Sequence, residues 1–454
     1  MIESKIFRQY DIRGVWGDDL SAEAIDAIGH AFAVYLKDKL GRDDLTISIG
    51  HDARKSSPEV LALLRRALNE SGVSVIELGL CPTPLQYFSL HRLDVQGGIM
   101  ITGSHNPPEF NGMKLSLGKE TLHGEEIQEI KKLIDSGRKT EGTGTSSKYE
   151  IIPDYMEFVK EKFLGDFKGL KVVVDAGNGT SGIVGPPIMK ALGADVIELY
   201  SEPDGNFPNH HPDPTVEKNL ADLIAKVKET GAHCGIGYDG DGDRIGVVDE
   251  DGEIVWGDRL MIIFSRDILK DNPGATFIGE VKCSQTLYDD IAAHGGRPIM
   301  WKTGHSLIKS KMKEEHALLA GEMSGHIFFQ HRYLGFDDAV YAGLRLLEIM
   351  KNEGEPYSVK ALLKGVPVMV STPEIRIDCP DEKKFDVADK MTAAFKGKYP
   401  VVDIDGVRIN FPEGWGLLRA SNTQPALVMR FEAKDEASLK RIKDAVESEL
   451  KKLI

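Results

Sequence analysis

From the first residues to about residue 360, runs rich in β-branched side chains alternate with amphipathic stretches of helical length. That alternation limits the fold more than any other feature of the chain. Apolar runs separated by helices cannot close as hairpins; they pair in parallel while the helices cover the sheet faces. The first block predicts helices over 22–40, 58–71 and 125–134, with strands at LTISIGHD, VSVIELGL and GGIMITGS. DSGRKTEGTGTSSKYE, residues 135–150, is polar and rich in Gly, Ser and Thr, and reads as a linker. A second block holds a helix over 154–163, strands KVVVDA, ADVIELY and HCGIGYD, and a helix over 220–229. A third holds the helical GDRLMIIFSRDIL and strands TFIGEV, RPIMW and ALLAGE. The blocks match in size and alternation, as an internal triplication would. Beyond about residue 367 VMVSTPEIRID reads as one strand, and the strands GVRINF, WGLLRAS and ALVMRFEA later follow one another without helices, which predicts an antiparallel α+β unit. The expected fold is three similar mixed α/β domains, over 1–147, 148–250 and 251–366, followed by a smaller α+β domain over 367–454.

Length and charge narrow the function classes. A chain of 454 residues exceeds one ordinary core. The net charge of −15, without a Lys/Arg-rich run, argues against nucleic acid. No apolar run is long enough to span a bilayer, and MIESKIFRQYDIRG lacks the basic-then-apolar pattern of a secretory signal, so a cytoplasmic location is expected. Cys81, Cys234, Cys283 and Cys379 are far apart, as suits reduced packing residues rather than a zinc cage.

Several short stretches carry chemistry. IMITGSHNPPEFNGMKLS, residues 99–116, ends a strand on Ser104 and His105, with Lys114 further on. Ligands of open α/β sheets gather at the carboxyl ends of strands, and Lys114 offers charge for an anion at Ser104. The pattern is not the Gly-x-Ser-x-Gly of acyl hydrolases. In GYDGDGDRIGVVDEDG, Asp239, Asp241 and Asp243 repel one another unless a cation sits among them, and an all-oxygen set suits Mg²⁺. An EF-hand is disfavoured because Arg244 stands where its glycine belongs, although Glu250 occupies the twelfth position. Arg244 would also favour a phosphate there. DAGNGTSG matches a dinucleotide fingerprint at Gly177, Gly179 and Gly182, with Glu198 at the ribose-acid distance, but Asp175 and Asn178 would face the pyrophosphate, so a structural turn is expected. In GEMSGHIFF, Glu322, Ser324 and His326 alternate and would share one side if extended, a set suited to sugar hydroxyls. RASNTQP offers Arg419, Ser421, Asn422 and Thr423 as donors for a phosphate.

Taken in order, TGSHNP, DGDGDR, GEMSGH and RASNTQP resemble the motifs of the α-D-phosphohexomutase family over essentially the whole chain, most of all its phosphomannomutase/phosphoglucomutase branch. FRQYDIRG, EVKCS and KTGHS add to the likeness. The resemblance implies four domains around a central cleft, each giving one loop. It implies a phosphoryl carrier at Ser104, Mg²⁺ held by Asp239, Asp241, Asp243 and the phosphoserine, and sugar contacts from Glu322, Ser324 and His326. Arg419, Ser421, Asn422 and Thr423 would grip the phosphate not in transfer. Arg13, Lys114, Arg244, Lys282 and His305 would line the cleft, with Lys114 assisting as acid or base and His105 positioning. The implied activity interconverts hexose 1- and 6-phosphates of mannose or glucose, with hexose 1,6-bisphosphate as intermediate and activator. The implied partners are small hexose phosphates, with no nucleic acid or membrane, acting on a monomer or small homo-oligomer. Met323, where phosphoglucosamine mutases usually carry Gln, weighs against that alternative. A noncatalytic sugar-phosphate binder is the alternative from another class.

Overall fold

The computed structural model describes residues 2–163, 165–422 and 425–453. The first three sheets are built on one plan. In the first, Leu45–His51 pairs in parallel with Val73–Leu80 and Gly97–Ile101, and Gly97–Ile101 then pairs antiparallel with Phe110–Leu117. In the second, Lys171–Asp175 lies parallel between Asp195–Leu199 and Cys234–Tyr238, and Cys234–Tyr238 runs antiparallel to Ile245–Asp249. In the third, Thr276–Glu280 lies parallel between Arg297–Trp301 and Leu319–Gly321, and Leu319–Gly321 turns back against Ile327–Phe329. Each sheet is therefore mixed, where the alternation predicts parallel pairing. In each, a short loop joins the last parallel strand to its antiparallel neighbour, and these loops hold Ser104, the three aspartates and Glu322.

The fourth sheet is antiparallel, ordered Val370–Ser371, Ala426–Ala433, Gly414–Ala420, Val407–Phe411 and Val401–Val402, with Ile375–Asp378 also on Ala426–Ala433. Residues 421–425 link its two longest strands. Helices Asp381–Phe395 and Glu436–Leu450 cover it and bury Met391, Phe395, Ile442 and Val446.

The first sheet has its own core around Phe32, Ile47 and Ile99, while a second apolar core joins Phe88 and Leu85 of the first unit to Tyr155 and Tyr238 of the second and Phe264 and Phe329 of the third. The fourth unit has its own core and meets the third at Val281, Trp415 and Leu417. There, Arg408 donates to the carbonyls of Val281 and Cys283, both at 2.7 Å, across the face of Trp415.

Three expectations need correction. The polar segment over 135–150 is no free linker: Ser146–Lys148 adds a strand to the edge of the first sheet, parallel to Val73–Leu80. Glu322 to His326 is not extended; it is the reverse turn between two paired strands. VMVSTPEIRID is broken into Val370–Ser371 and Ile375–Asp378, around Pro373, which has no N–H to give. All four cysteines are free and buried, and among the described residues no helix is long and apolar enough to cross a membrane.

Candidate active site

Gly97–Ile101 is buried along its length, and its apolar run ends where the chain must turn. Ser104 takes a left-handed conformation, φ 49°, which costs a residue bearing a Cβ about 1–3 kcal/mol unless its surroundings enforce it. They do. The Ser104 N–H donates to Thr102 Oγ1 at 2.7 Å, and its carbonyl accepts from Arg54 Nη2 at 2.8 Å. Arg54 also donates to the carbonyls of Asn106, Pro107 and Phe110, and its Nε to Asp52 Oδ2. Asp52 in turn accepts from Thr102 Oγ1 at 2.9 Å and the Gly103 N–H at 3.1 Å. Both members of this pair are almost wholly buried. The motif reading missed them, although Asp52 immediately follows Leu45–His51 and the strand-end rule that singles out Ser104 applies to it equally.

The aspartate loop closes over this serine. Asp239 Oδ1 accepts from the N–H groups of Gly242, Asp243 and Arg244 at 3.0–3.1 Å, while its Oδ2 lies 3.3 Å from Ser104 Oγ. Glycine permits the approach: a Cβ on Gly240 would stand 2.7 Å from the Ser104 carbonyl, and one on Gly179 2.8 Å from the Gly240 carbonyl. The DAGNGTSG loop therefore packs beneath the aspartates as a turn, and Glu250 instead accepts from the Val359 N–H at 3.0 Å, at the start of a short helix.

Asp239, Asp241 and Asp243 are fully buried, and oxygens from all three lie within 4.8 Å of one another. Thr83 donates to Asp241 at 2.6 Å; Lys114 bridges Asp241, at 3.2 Å, and Asp243. Asp241 Oδ1 and Asp243 Oδ1 have no hydrogen-bond partner among the described residues. Buried carboxylate oxygens without a donor are costly, and a hard divalent cation with oxygen preference is the group that fits them. Burial, then repulsion from Asp243 and Asp241, pushes the Asp239 carboxyl well above the usual range. Burial works the same way on Asp241, but Lys114 and Thr83 outweigh it and hold that carboxyl low. Burial opposes the Lys114 ammonium, yet Asp241 and Asp243 hold it well above the ordinary lysine value.

Around this centre stand the other expected residues. His105 Nδ1 lies 3.0 Å from Ser104 Oγ, and burial with the Arg244 and Arg13 charges keeps its ring neutral. Arg13 reaches Asn106 Oδ1 at 3.0 Å and pairs with Asp11. Arg244 donates to His326 Nε2 at 2.9 Å, and His326 Nδ1 lies 3.0 Å from Asp337, so this histidine is tied into the wall between units. Lys282 sits between Glu280, at 3.5 Å, and Glu374, at 3.3 Å. His305 begins a helix, and its ring is edge-on to Tyr10. Glu322 accepts from the Gly304 N–H at 2.9 Å and from Ser324 Oγ at 3.0 Å. In the fourth unit, Arg419 Nε donates to Asp405 at 2.9 Å, the Ser421 N–H to the Ala426 carbonyl at 2.9 Å, and Asn422 to Tyr10 OH at 2.8 Å. Thr423 lies outside the described residues. Asp405, which no motif pointed to, and Tyr10, within FRQYDIRG, both bond Thr303, at 3.0 and 2.7 Å, and so join the loops of three units.

Comparison with known proteins agrees with this architecture. Four family profiles match in order: phosphoglucomutase/phosphomannomutase alpha/beta/alpha domain I over residues 4–141, domain II over 153–252, domain III over 256–366, and the C-terminal domain over 374–449. The chain belongs to the phosphoglucomutase/phosphomannomutase family. A phosphomannomutase/phosphoglucomutase of Pseudomonas syringae pv. tomato is 48% identical over 454 residues, covering 100% of this chain and 96% of that protein. A phosphoglucomutase of Neisseria gonorrhoeae is 44% identical, covering 98% and 96%. Among solved structures, a phosphoglucomutase/phosphomannomutase family protein from Burkholderia thailandensis superposes with a TM-score of 0.93 at 44% identity, covering 100% of this chain and 98% of that one.

Proposed function

We propose that the protein is a phosphohexomutase of the cytoplasm, a monomer or small homo-oligomer that interconverts the 1- and 6-phosphates of mannose, glucose or both. Ser104 carries the phosphoryl group, and hexose 1,6-bisphosphate is intermediate and activator. One observation carries this reading: a strained serine hydroxyl held against a buried aspartate trio, with Lys114 between two of the acids. Relatives of full length that bear mutase names support it. The proposed units divide near 147/148, 250/251 and 366/367, with the edge strands Ser146–Lys148 and Ile254–Val255 reaching a few residues past the first two of these points into the first and second sheets.

Asp239, Asp241 and Asp243 would hold Mg²⁺. When bound, Mg²⁺ neutralises charge on the phosphoryl group in transfer. In the first half-reaction the bond from phosphorus to Ser104 Oγ breaks as one forms to the free sugar hydroxyl; that hydroxyl loses a proton and Oγ gains one. His105, beside Oγ, positions the serine oxygen, while Lys114 assists the proton exchange as acid or base. Arg13 and Arg244 offset the phosphate charge as fixed cations. Glu322 and Ser324 bind sugar hydroxyls with His326 behind them, while Lys282, His305, Arg419, Ser421, Asn422 and Thr423 bind the phosphate that is not moving. The bisphosphate turns end for end and returns its other phosphate to Ser104.

A coupled assay tests the reading. Conversion of mannose or glucose 1-phosphate to the 6-phosphate, sped by a trace of 1,6-bisphosphate and lost in Ser104→Ala, is expected. Binding without turnover, or stoichiometric release of inorganic phosphate, would refute it.

A further inference from the structure

Lys282, His305 and the pair Glu322 and Ser324 lie on three separate loops, which leave three neighbouring parallel strands of the third sheet. The middle strand, Thr276–Glu280, ends on a glutamate with no exposed surface. Glu280 Oε1 accepts from the Met323 N–H at 3.2 Å, within the Glu322 loop, and stands 3.5 Å from Lys282 Nζ. Its other oxygen accepts from Thr303 Oγ1, two residues before His305. Among the described residues no side-chain hydrogen bond joins Lys282 directly to Thr303 or Met323.

A carboxylate is an expensive group to bury, and burial does push this carboxyl above its usual range, against the pull of Lys282. The cost is offset only while all three loops aim their donors at it. We propose that Glu280 is the positioning residue of this substrate-binding face: one buried carboxylate sets the mutual spacing of Lys282, His305, Glu322 and Ser324 without touching the sugar phosphate. Loops so placed contact parts of the substrate that do not react, so their misplacement weakens the ground and transition states alike.

The proposal rests on the mutase reading, and its test is separable from it. Glu280→Gln keeps the side-chain length but removes the anion facing Lys282 and one of two carboxylate acceptors. Losing a hydrogen bond to a charged group is worth enough to raise KM for hexose 1-phosphate about tenfold or more, with kcat within about threefold of wild type. The Mg²⁺ concentration for half-maximal activity, set in the second unit, stays unchanged. Thr303→Val, which removes one donor from the far side, raises KM in the same direction, and the double variant is no worse than Glu280→Gln alone. An unchanged KM, or equal losses in KM and in Mg²⁺ dependence, overturns the inference. So does a double variant whose loss is the product of the two single losses. Should Glu280→Gln fail to fold, an unchanged KM in Thr303→Val overturns it. Calorimetric titration of wild type and variant with hexose 6-phosphate keeps the two readings apart. Absence of wild-type turnover refutes the mutase reading, while equal affinity in both proteins refutes the role of Glu280.

Discussion

Arg54→Lys isolates the scaffold of the serine loop from its chemistry, because the charge beside Asp52 is kept and only donors are lost. The guanidinium makes five hydrogen bonds: one to Asp52 Oδ2 and one each to the carbonyls of Ser104, Asn106, Pro107 and Phe110. An ammonium has three N–H groups on one atom, so at least two acceptors lose their partner. Each buried acceptor so stranded costs about 1–3 kcal/mol, or about 2–6 kcal/mol together. The loss falls on residues 104–110, the stretch that holds Ser104 in its left-handed conformation. If about 2 kcal/mol is expressed as disorder at Ser104, kcat/KM drops roughly thirtyfold. Steady-state kinetics with a coupled 6-phosphate readout gives that number, and hydrogen exchange followed by peptide mass analysis reports the loop. Faster exchange confined to residues 102–110 is expected. Wild-type kcat/KM together with wild-type exchange would refute the assignment of Arg54 as the loop's anchor.

Two other perturbations address charge. Lys114→Met removes the cation bridging Asp241 and Asp243, and breaking a buried pair in this way costs about 3–5 kcal/mol; urea unfolding should show that loss in chelator and a smaller one in Mg²⁺, and equal losses would contradict the metal assignment. His210 Nε2 lies 3.0 Å from Asp175; burial opposes its charge, but Asp175 raises its pKa above 6.5. A raised folded value means the stabilisation is complete below 6.5 and is lost as pH climbs through the folded value. The stability gap between wild type and His210→Gln should therefore be wider at pH 6 than at pH 9, and a constant gap would refute the ion pair.

The motifs located the candidate site because each sits at a turn that Gly, Asn, Asp or Ser must make. Ser104, Asp239 and Glu322 follow short strands, GGIMI, CGIGY and LAG, visible as buried runs free of charged residues. Their antiparallel partners were harder to see. FNGMKLSL, which carries Lys114, has Asn, Gly and Lys where strand formers are expected, and it is a strand because it pairs residue by residue with Gly97–Ile101 and Ile12–Val15. Ser146–Lys148 is three exposed polar residues, and no hydrophobic pattern could mark it. Arg54 and Asp405 lacked a signal of their own, and Asp52, at a strand end, and Glu280, in EVKCS, were marked by position but not by role, since these roles lie in contacts with residues distant in sequence. The carboxylates that hold loops look, in sequence, like any others.

The central claim is that Ser104 exchanges a phosphoryl group with a hexose bisphosphate. Intact-mass analysis of the purified protein after incubation with glucose 1,6-bisphosphate and Mg²⁺ tests it most directly. The expected result is a gain of one phosphoryl mass, mapped to Ser104, absent in Ser104→Ala, and discharged when excess hexose monophosphate is added. An active enzyme that shows no such adduct, or carries it on another residue, would contradict the account.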